Sequence, residues 1–148
     1  MTPKFLSDKP IIYFCAPSFG CSNRKYKTRL KKSIENFENF ENAKIIVGPN
    51  CFINKGLAAS NTAKERAKEV MDGFLNESEA IISVGGGEVM SQILEYIDFD
   101  IIKNNPKWFM GFSDNTNLTY TITVNCDMET IYGNCASNFY LYPFQYYE

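Results

Sequence analysis

Ser113 stands in Gly111-Phe112-Ser113-Asp114, directly after the apolar run Lys107-Trp108-Phe109-Met110. A serine between a strand and a helix can project its hydroxyl from the helix N-terminus, with the Asp114 N–H aimed at the same space. That is the geometry of a nucleophile elbow, and Gly111 would permit its sharp turn. The G-x-S-x-G pattern is incomplete, because Asn115 occupies the second glycine position. Local sequence alone favours a plainer role for Ser113, the capping of a helix start.

Two further segments could share that chemistry. Gly85-Gly86-Gly87 follows the apolar run Ala80 to Val84. Glycines let backbone approach a ligand closely and adopt positive φ. A helix after them would offer N–H groups and its dipole to negative charge, whether phosphate, carboxylate or tetrahedral oxyanion. A tight turn without a ligand is an equal reading. Ala16-Pro17-Ser18 closes a third apolar run, Ile11 to Cys15.

The positioning elements read as strand and helix in alternation. Ile11 to Cys15 is a buried first strand, since a continuous apolar run suits a sheet covered on both faces. Tyr26, Leu30, Ile34, Phe37 and Phe40 form one stripe on a helix from Asn23 to Glu41. Ala43 to Val47 is the second strand, and residues 50–61 are irregular. Thr62 caps the next helix, with Glu65 completing a capping box and Ala67, Val70, Met71, Phe74 and Leu75 inward. Ala80 to Val84 is the third strand, followed by a short helix with Met90, Ile93, Leu94 and Ile97 inward. Asn104-Asn105-Pro106 breaks the chain before the fourth strand, 107–110, and Glu129 to Tyr132 is the fifth.

Such alternation predicts right-handed βαβ units and an α/β, doubly wound, mostly parallel sheet of the flavodoxin or Rossmann kind, with helices on both faces. One segment resists. From Leu118 to Val124 apolar residues alternate with threonines, which is a strand pattern. Residues 115–125 are nevertheless read as a helix, because a parallel fifth strand needs a crossover. In this architecture ligands bind outside the carboxyl ends of the strands. Ser18, Gly85-Gly86-Gly87 and Ser113-Asp114 all fall on that edge.

Composition narrows the chemistry. The chain has 148 residues and no histidine, which removes Ser-His and Cys-His catalysis from within it. Five scattered cysteines without a C-x-x-C pair argue for reduced, mostly buried thiols, and no metal site is expected. No cofactor is implied. A net charge of −2 supplies no field toward nucleic acid or membrane. No apolar stretch approaches the ~20 residues of a membrane helix, and a cytoplasmic protein is expected. Arg24 to Lys32 carries six basic residues in nine, read as a solvated helix face. The tail from Phe139 to Glu148 holds six aromatics in ten, so it is expected either to pack on its own domain or to lead into a further segment. The nucleophile-bearing domain is therefore set at 1–135, with 136–148 a tail or the start of a linker.

Taken in order, Ala16-Pro17-Ser18, Ala58-Ala59-Ser60, Arg66-Ala67, Met71, Phe74, Val84-Gly85-Gly86-Gly87, Tyr96-Ile97-Asp98, Asn105-Pro106-Lys107, Gly111-Phe112-Ser113-Asp114 and Tyr132-Gly133 resemble the N-terminal half of the L,D-carboxypeptidase family. That family includes murein tetrapeptide carboxypeptidases and microcin C immunity proteins. The resemblance runs from about residue 9 to 135. It implies a serine hydrolase with a Ser-His-Glu triad, Ser113 as nucleophile, and an oxyanion hole from the backbone N–H groups of Asp114 and Gly86. Gly85, Gly87 and Ser18 would contact substrate. The substrate would be an amide next to a free carboxylate, in a peptidoglycan peptide or a microcin C-like aminoacyl-nucleotide. Histidine and glutamate would come from a C-terminal domain that this sequence does not include, so these residues alone are expected to be inactive; a homodimer is compatible with the reading. Tyr132-Gly133-Asn134 replaces the His-Gly-Pro of many members. A non-catalytic anion-binding module using the glycine triplet is the alternative, and a flavodoxin-like nucleotide binder a third.

Overall fold

A computed structural model describes residues 1–56 and 58–144. Five parallel strands form one sheet in the order β2-β1-β3-β4-β5, with β1 Ile11–Cys15, β2 Lys44–Val47, β3 Ala80–Ser83, β4 Trp108–Gly111 and β5 Ile131–Tyr132. This is the flavodoxin-like order, and its switch point lies between β1 and β3. In register, Cys15 pairs with Ser83 and Gly111 with Tyr132. The loops that follow β1, β3 and β4 therefore leave the sheet on a common edge.

Four α-helices supply the layers: α1 Arg24–Phe40, α2 Ala63–Leu75, α3 Phe99–Asn104 and α4 Thr116–Cys126. Alternate strand residues feed two cores. Tyr13, Cys15, Ile81 and Phe109 join α2, α3 and α4 on one face, while Ile12, Phe14, Ile82 and Val84 join α1 on the other. The period-2 alternation of strand side chains produces that division directly.

α1 begins where Asn23 Oδ1 accepts from the Tyr26 N–H at 3.0 Å. Phe40 ends half exposed on its flank, stacked on Tyr142. In α2, Thr62 Oγ1 accepts from the Glu65 N–H at 3.3 Å, but the reciprocal half of the expected capping box is absent. The Thr62 N–H donates instead to Asn61 Oδ1 at 2.9 Å. Leu75 is 57% exposed rather than buried. At about 100° per residue it sits roughly 90° from the centre of the Val70–Phe74 stripe.

Between β3 and β4 the chain departs further from expectation. Met90–Tyr96 is a 3-10 helix, and α3 follows as a separate element. Asp98 starts it, its Oδ1 accepting from the N–H groups of Asp100 and Ile101. The fifth strand spans two residues, not four.

Residues 116–126 are helical despite their strand-like pattern. Leu118, Ile122 and Cys126 recur every fourth residue and are fully buried, while Tyr120 and Val124 face solvent. Thr121 Oγ1 donates to the Asn117 carbonyl at 2.5 Å, four residues back. β-branched threonines tolerate a helix when their hydroxyls bond back in this way.

Phe139 and Phe144 pack on Phe37 of α1, with ring centroids 5.3 and 5.2 Å away. The described part of the aromatic tail thus covers its own domain; Tyr146 and Tyr147 lie outside the described residues.

Candidate active site

Ser113 is exposed and carries φ 61, in the left-handed region. A non-glycine residue is uncommon there, and the conformation costs free energy that surrounding structure must offset. Phe112 enters fully extended, and the chain then turns into a short 3-10 helix, 113–115, continuous with α4. Thr116 Oγ1 donates to the Ser113 carbonyl at 2.6 Å. Buried Asn115 donates through Nδ2 to the carbonyls of Gly85 and Phe112 at 3.1 and 3.0 Å, joining the β3 and β4 loops. A left-handed serine directly after a strand and leading into a helix is the elbow geometry. The Ser113 hydroxyl is left free of partners among the described residues.

Gly111 has a reason other than the turn. A Cβ there would lie 2.7 Å from Asn115 Cγ, so the glycine makes room for the side chain at the position where the elbow pattern has its second glycine.

Gly86 lies against Ser113. A Cβ built on it would sit 3.3 Å from Ser113 Cβ, 3.5 Å from Ser113 Oγ and 3.8 Å from the Asp114 nitrogen. The Gly86 N–H has no acceptor among the described residues. First-turn N–H groups such as that of Asp114 have no carbonyl within their helix. Two backbone donors and one hydroxyl therefore border the same small space.

Two groups on this edge are engaged within the protein itself. Ser18, expected to contact substrate, is fully buried, and its hydroxyl donates to Asp114 Oδ2 at 2.5 Å. The glycine triplet does not present a vacant helix N-terminus to an anion. The element after it is 3-10, and its Met90 N–H already donates to Asp114 Oδ2 at 2.9 Å. The negative charge expected there is the protein's own carboxylate, whose Oδ1 also accepts from Asn117 Nδ2 at 3.0 Å. Gly87 serves this packing. Its φ is 153, and a Cβ would fall 2.1 Å from Ser18 Oγ. Gly85 is buried, its carbonyl taken by Ser83 Oγ and Asn115 Nδ2.

Two charged residues lie buried beneath the site: Arg66, which the sequence reading held only as part of a family motif, and Glu69, which it did not single out. Arg66 is 1% exposed and donates to the carbonyls of Asn61, Pro17 and Val89 and to Gln92 Oε1, at 2.7–3.0 Å. It ties the loop after β1 to the segment after the triplet. Burial lowers its affinity for the proton, and the Asp114 charge opposes that. Glu69 is equally buried; its oxygens accept from the N–H groups of Ala16 and Asn50, both at 2.8 Å. Burial raises its carboxyl above the usual range, against the pull of those two bonds. Neither lies in the Ala67-Val70-Met71-Phe74 stripe of α2, and helical spacing carried no signal of their burial.

All five cysteines are buried and unpaired in disulfides. Among the described residues no group of three or more metal-ligating side chains gathers, and no helix is long and apolar enough to cross a membrane. A larger hollow of about 700 Å³, lined by Ile12, Ile82, Trp108, Met110 and Phe144, opens toward the start of the strands, away from Ser113.

Residues 12–133 match the family model described as the LD-carboxypeptidase N-terminal domain. The chain belongs to the LD-carboxypeptidase family. The microcin C7 self-immunity protein MccF of Escherichia coli is 37% identical over 75 residues, half of this chain and 22% of its own. The solved structure of wild-type MccF without ligand superposes with a TM-score of 0.85 at 28% identity, covering 93% of this chain and 41% of MccF. MccF in complex with aspartyl sulfamoyl adenosine gives 0.84 at 28% identity, covering 96% and 42%. The chain thus spans less than half the length of these relatives.

Proposed function

We propose that this chain is the nucleophile-bearing domain of a serine hydrolase that cleaves an amide next to a free carboxylate, in a peptidoglycan peptide or an aminoacyl-nucleotide of the microcin C kind. The observation that carries the proposal is Ser113, held at positive φ beside Gly86 on the switch-point edge. MccF, solved with an aminoacyl sulfamoyl nucleoside, supports the small-molecule substrate class. The reaction is assigned to the cytoplasm.

In the proposed reaction Ser113 Oγ attacks the carbonyl carbon, and the carbonyl π electrons move onto oxygen. The backbone N–H groups of Gly86 and Asp114 stabilise that oxyanion. In this proposal the hydroxyl proton passes to a histidine supplied, with a glutamate that orients it, by a C-terminal half. The histidine then protonates the leaving nitrogen as the C–N bond breaks, and water releases the acyl group from Ser113 by the same route. Asp114 cannot replace the base, because its carboxylate already accepts from Ser18, Met90 and Asn117. These 148 residues alone are therefore expected to be inactive.

The test joins this domain to the C-terminal half of a family member and follows amide hydrolysis. Activity that survives Ser113→Ala would sink the nucleophile assignment. The alternative is a non-catalytic anion-binding module at the glycine triplet, toward which the lack of histidine is neutral; the Met90 N–H of the element after the triplet is already taken by Asp114.

A further inference from the structure

The catalytic edge continues onto α1 through side chains that the hydrolytic step does not use. A hollow of about 150 Å³ opens beside the Gly85-Gly86 backbone, with Phe112 and Cys135 on one side and Tyr26 and Arg29 on the other. Gly86 and Phe112 are the immediate neighbours of Ser113, so the hollow adjoins the nucleophile. Outside it lies a shallower hollow lined by Arg24, Lys25, Thr28, Arg29 and Tyr140. Among the described residues Arg29 alone lines both, and neither lining contains an aspartate or glutamate.

The Arg29 guanidinium lies 4.4 Å from the Tyr140 ring centroid and 6.0 Å from that of Tyr26. Stacking on a ring steadies the planar group while leaving its N–H fork to donate in its own plane. No carboxylate among the described residues pairs with it.

The charge pattern of α1 points the same way. Arg24, Lys25 and Lys27 occupy its first turn, while its last turn has no basic residue. The helix dipole favours the reverse arrangement. Cations set against the dipole oppose helix stability, and local rules of this kind are broken chiefly at functional surfaces. Here the broken rule coincides with a concave, carboxylate-free surface next to Ser113.

We propose that Arg29 is a specificity-determining residue: the hollow it lines receives a compact oxyanion of the substrate, a carboxylate or a phosphate, and Arg24 and Lys25 attract it from outside. A guanidinium recognises either group through paired N–H donors. Assigning this oxyanion to the substrate rests on the Ser113 reading; the binding itself does not.

The test uses this chain and NMR titration at low ionic strength. N-acetyl-aspartate is compared with the neutral N-acetyl-asparagine amide, and adenosine monophosphate with adenosine. The expected result is at least tenfold tighter binding of one anionic probe than of its neutral counterpart, with shifts at the Gly86 and Asn138 amides. Preference between the two anions tells carboxylate from phosphate. Arg29→Gln should weaken that binding at least tenfold, and Arg29→Lys, which keeps the charge, by less. Equal affinity for anionic and neutral probes overturns the proposal, as does wild-type binding by an Arg29→Gln variant with an unchanged circular dichroism spectrum. Failure of hydrolysis in the two-part enzyme with probe binding intact would retire the Ser113 reading and leave this site standing.

Discussion

The Ser18 hydroxyl lies 2.5 Å from Asp114 Oδ2, joining the loop after β1 to the residue that follows the candidate nucleophile. The same oxygen accepts from the Met90 N–H, so one carboxylate fixes the loops after β1, β3 and β4 to each other. Asp114 thereby holds its own backbone N–H in place beside Gly86. Its side chain is held by structure, and its main-chain N–H is left for the proposed donor role.

Removing the Ser18 hydroxyl should be felt in stability. Ser18→Ala deletes a buried bond to a charged acceptor, a change expected to cost about 1–3 kcal/mol. Urea unfolding of the variant against the parent measures it. A loss within a few tenths of a kcal/mol would show that Asp114 does not depend on Ser18.

Gly86 and Gly87 should respond to alanine in opposite ways. A methyl at Gly86 meets Ser113 at 3.3–3.5 Å, close but nearly tolerable, and occupies the space where an oxyanion would form. Gly86→Ala should alter stability by about 1 kcal/mol or less, and should slow the two-part enzyme by about 10²–10³-fold. Gly87→Ala puts a methyl 2.1 Å from Ser18 Oγ at φ 153, so its expected effect is a loss of stability of roughly 2 kcal/mol or more. Full activity in Gly86→Ala would remove Gly86 from the oxyanion hole.

The left-handed backbone of Ser113 makes a prediction independent of any assay. Glycine adopts φ 61 without the Cβ penalty. Ser113→Gly should therefore be more stable than Ser113→Ala by about 1 kcal/mol. Melting temperatures of the two variants decide it, and a more stable alanine variant would contradict the strained elbow.

Glu69 should imprint a pH dependence on stability. Its folded carboxyl titrates above the ordinary value of 4.5. Over the interval between the unfolded and folded values the native state holds more protons than the unfolded one, so stability falls as pH rises through it. The contribution is fully present below the unfolded value and lost above the folded one. Glu69→Gln should flatten that slope. It should also destabilise the protein at neutral pH by about 1–3 kcal/mol, because one amide oxygen cannot serve the N–H groups of both Ala16 and Asn50. Urea midpoints measured from mildly acidic to neutral pH test both effects, and parallel curves for the two proteins would refute the assignment.

Much of the fold was legible because burial imposes periods. The apolar runs of β1, β3 and β4 and the stripes of α1 and α2 follow from residues meeting a core at intervals of two or of three and four. α4 was legible only through topology: parallel strands require a crossover, and that requirement overrode the threonine-rich local pattern. α3 was missed although Asp98 is a good cap, because Met90 to Tyr96 had absorbed the preceding apolar residues into a single helix.

By itself the sequence determined the family, the position of Ser113 between a strand and a helix, and the lack of any histidine to activate it. Those features lie in local order and composition, where neighbouring residues carry the information. Tertiary structure alone decided what faces what. Ser18 turned inward to Asp114, whose carboxylate took the Met90 N–H, and Arg66 and Glu69 entered the core beneath it. Each of these depends on partners from other parts of the chain. A buried polar group is tolerated only where such partners meet it, and no local pattern records that meeting.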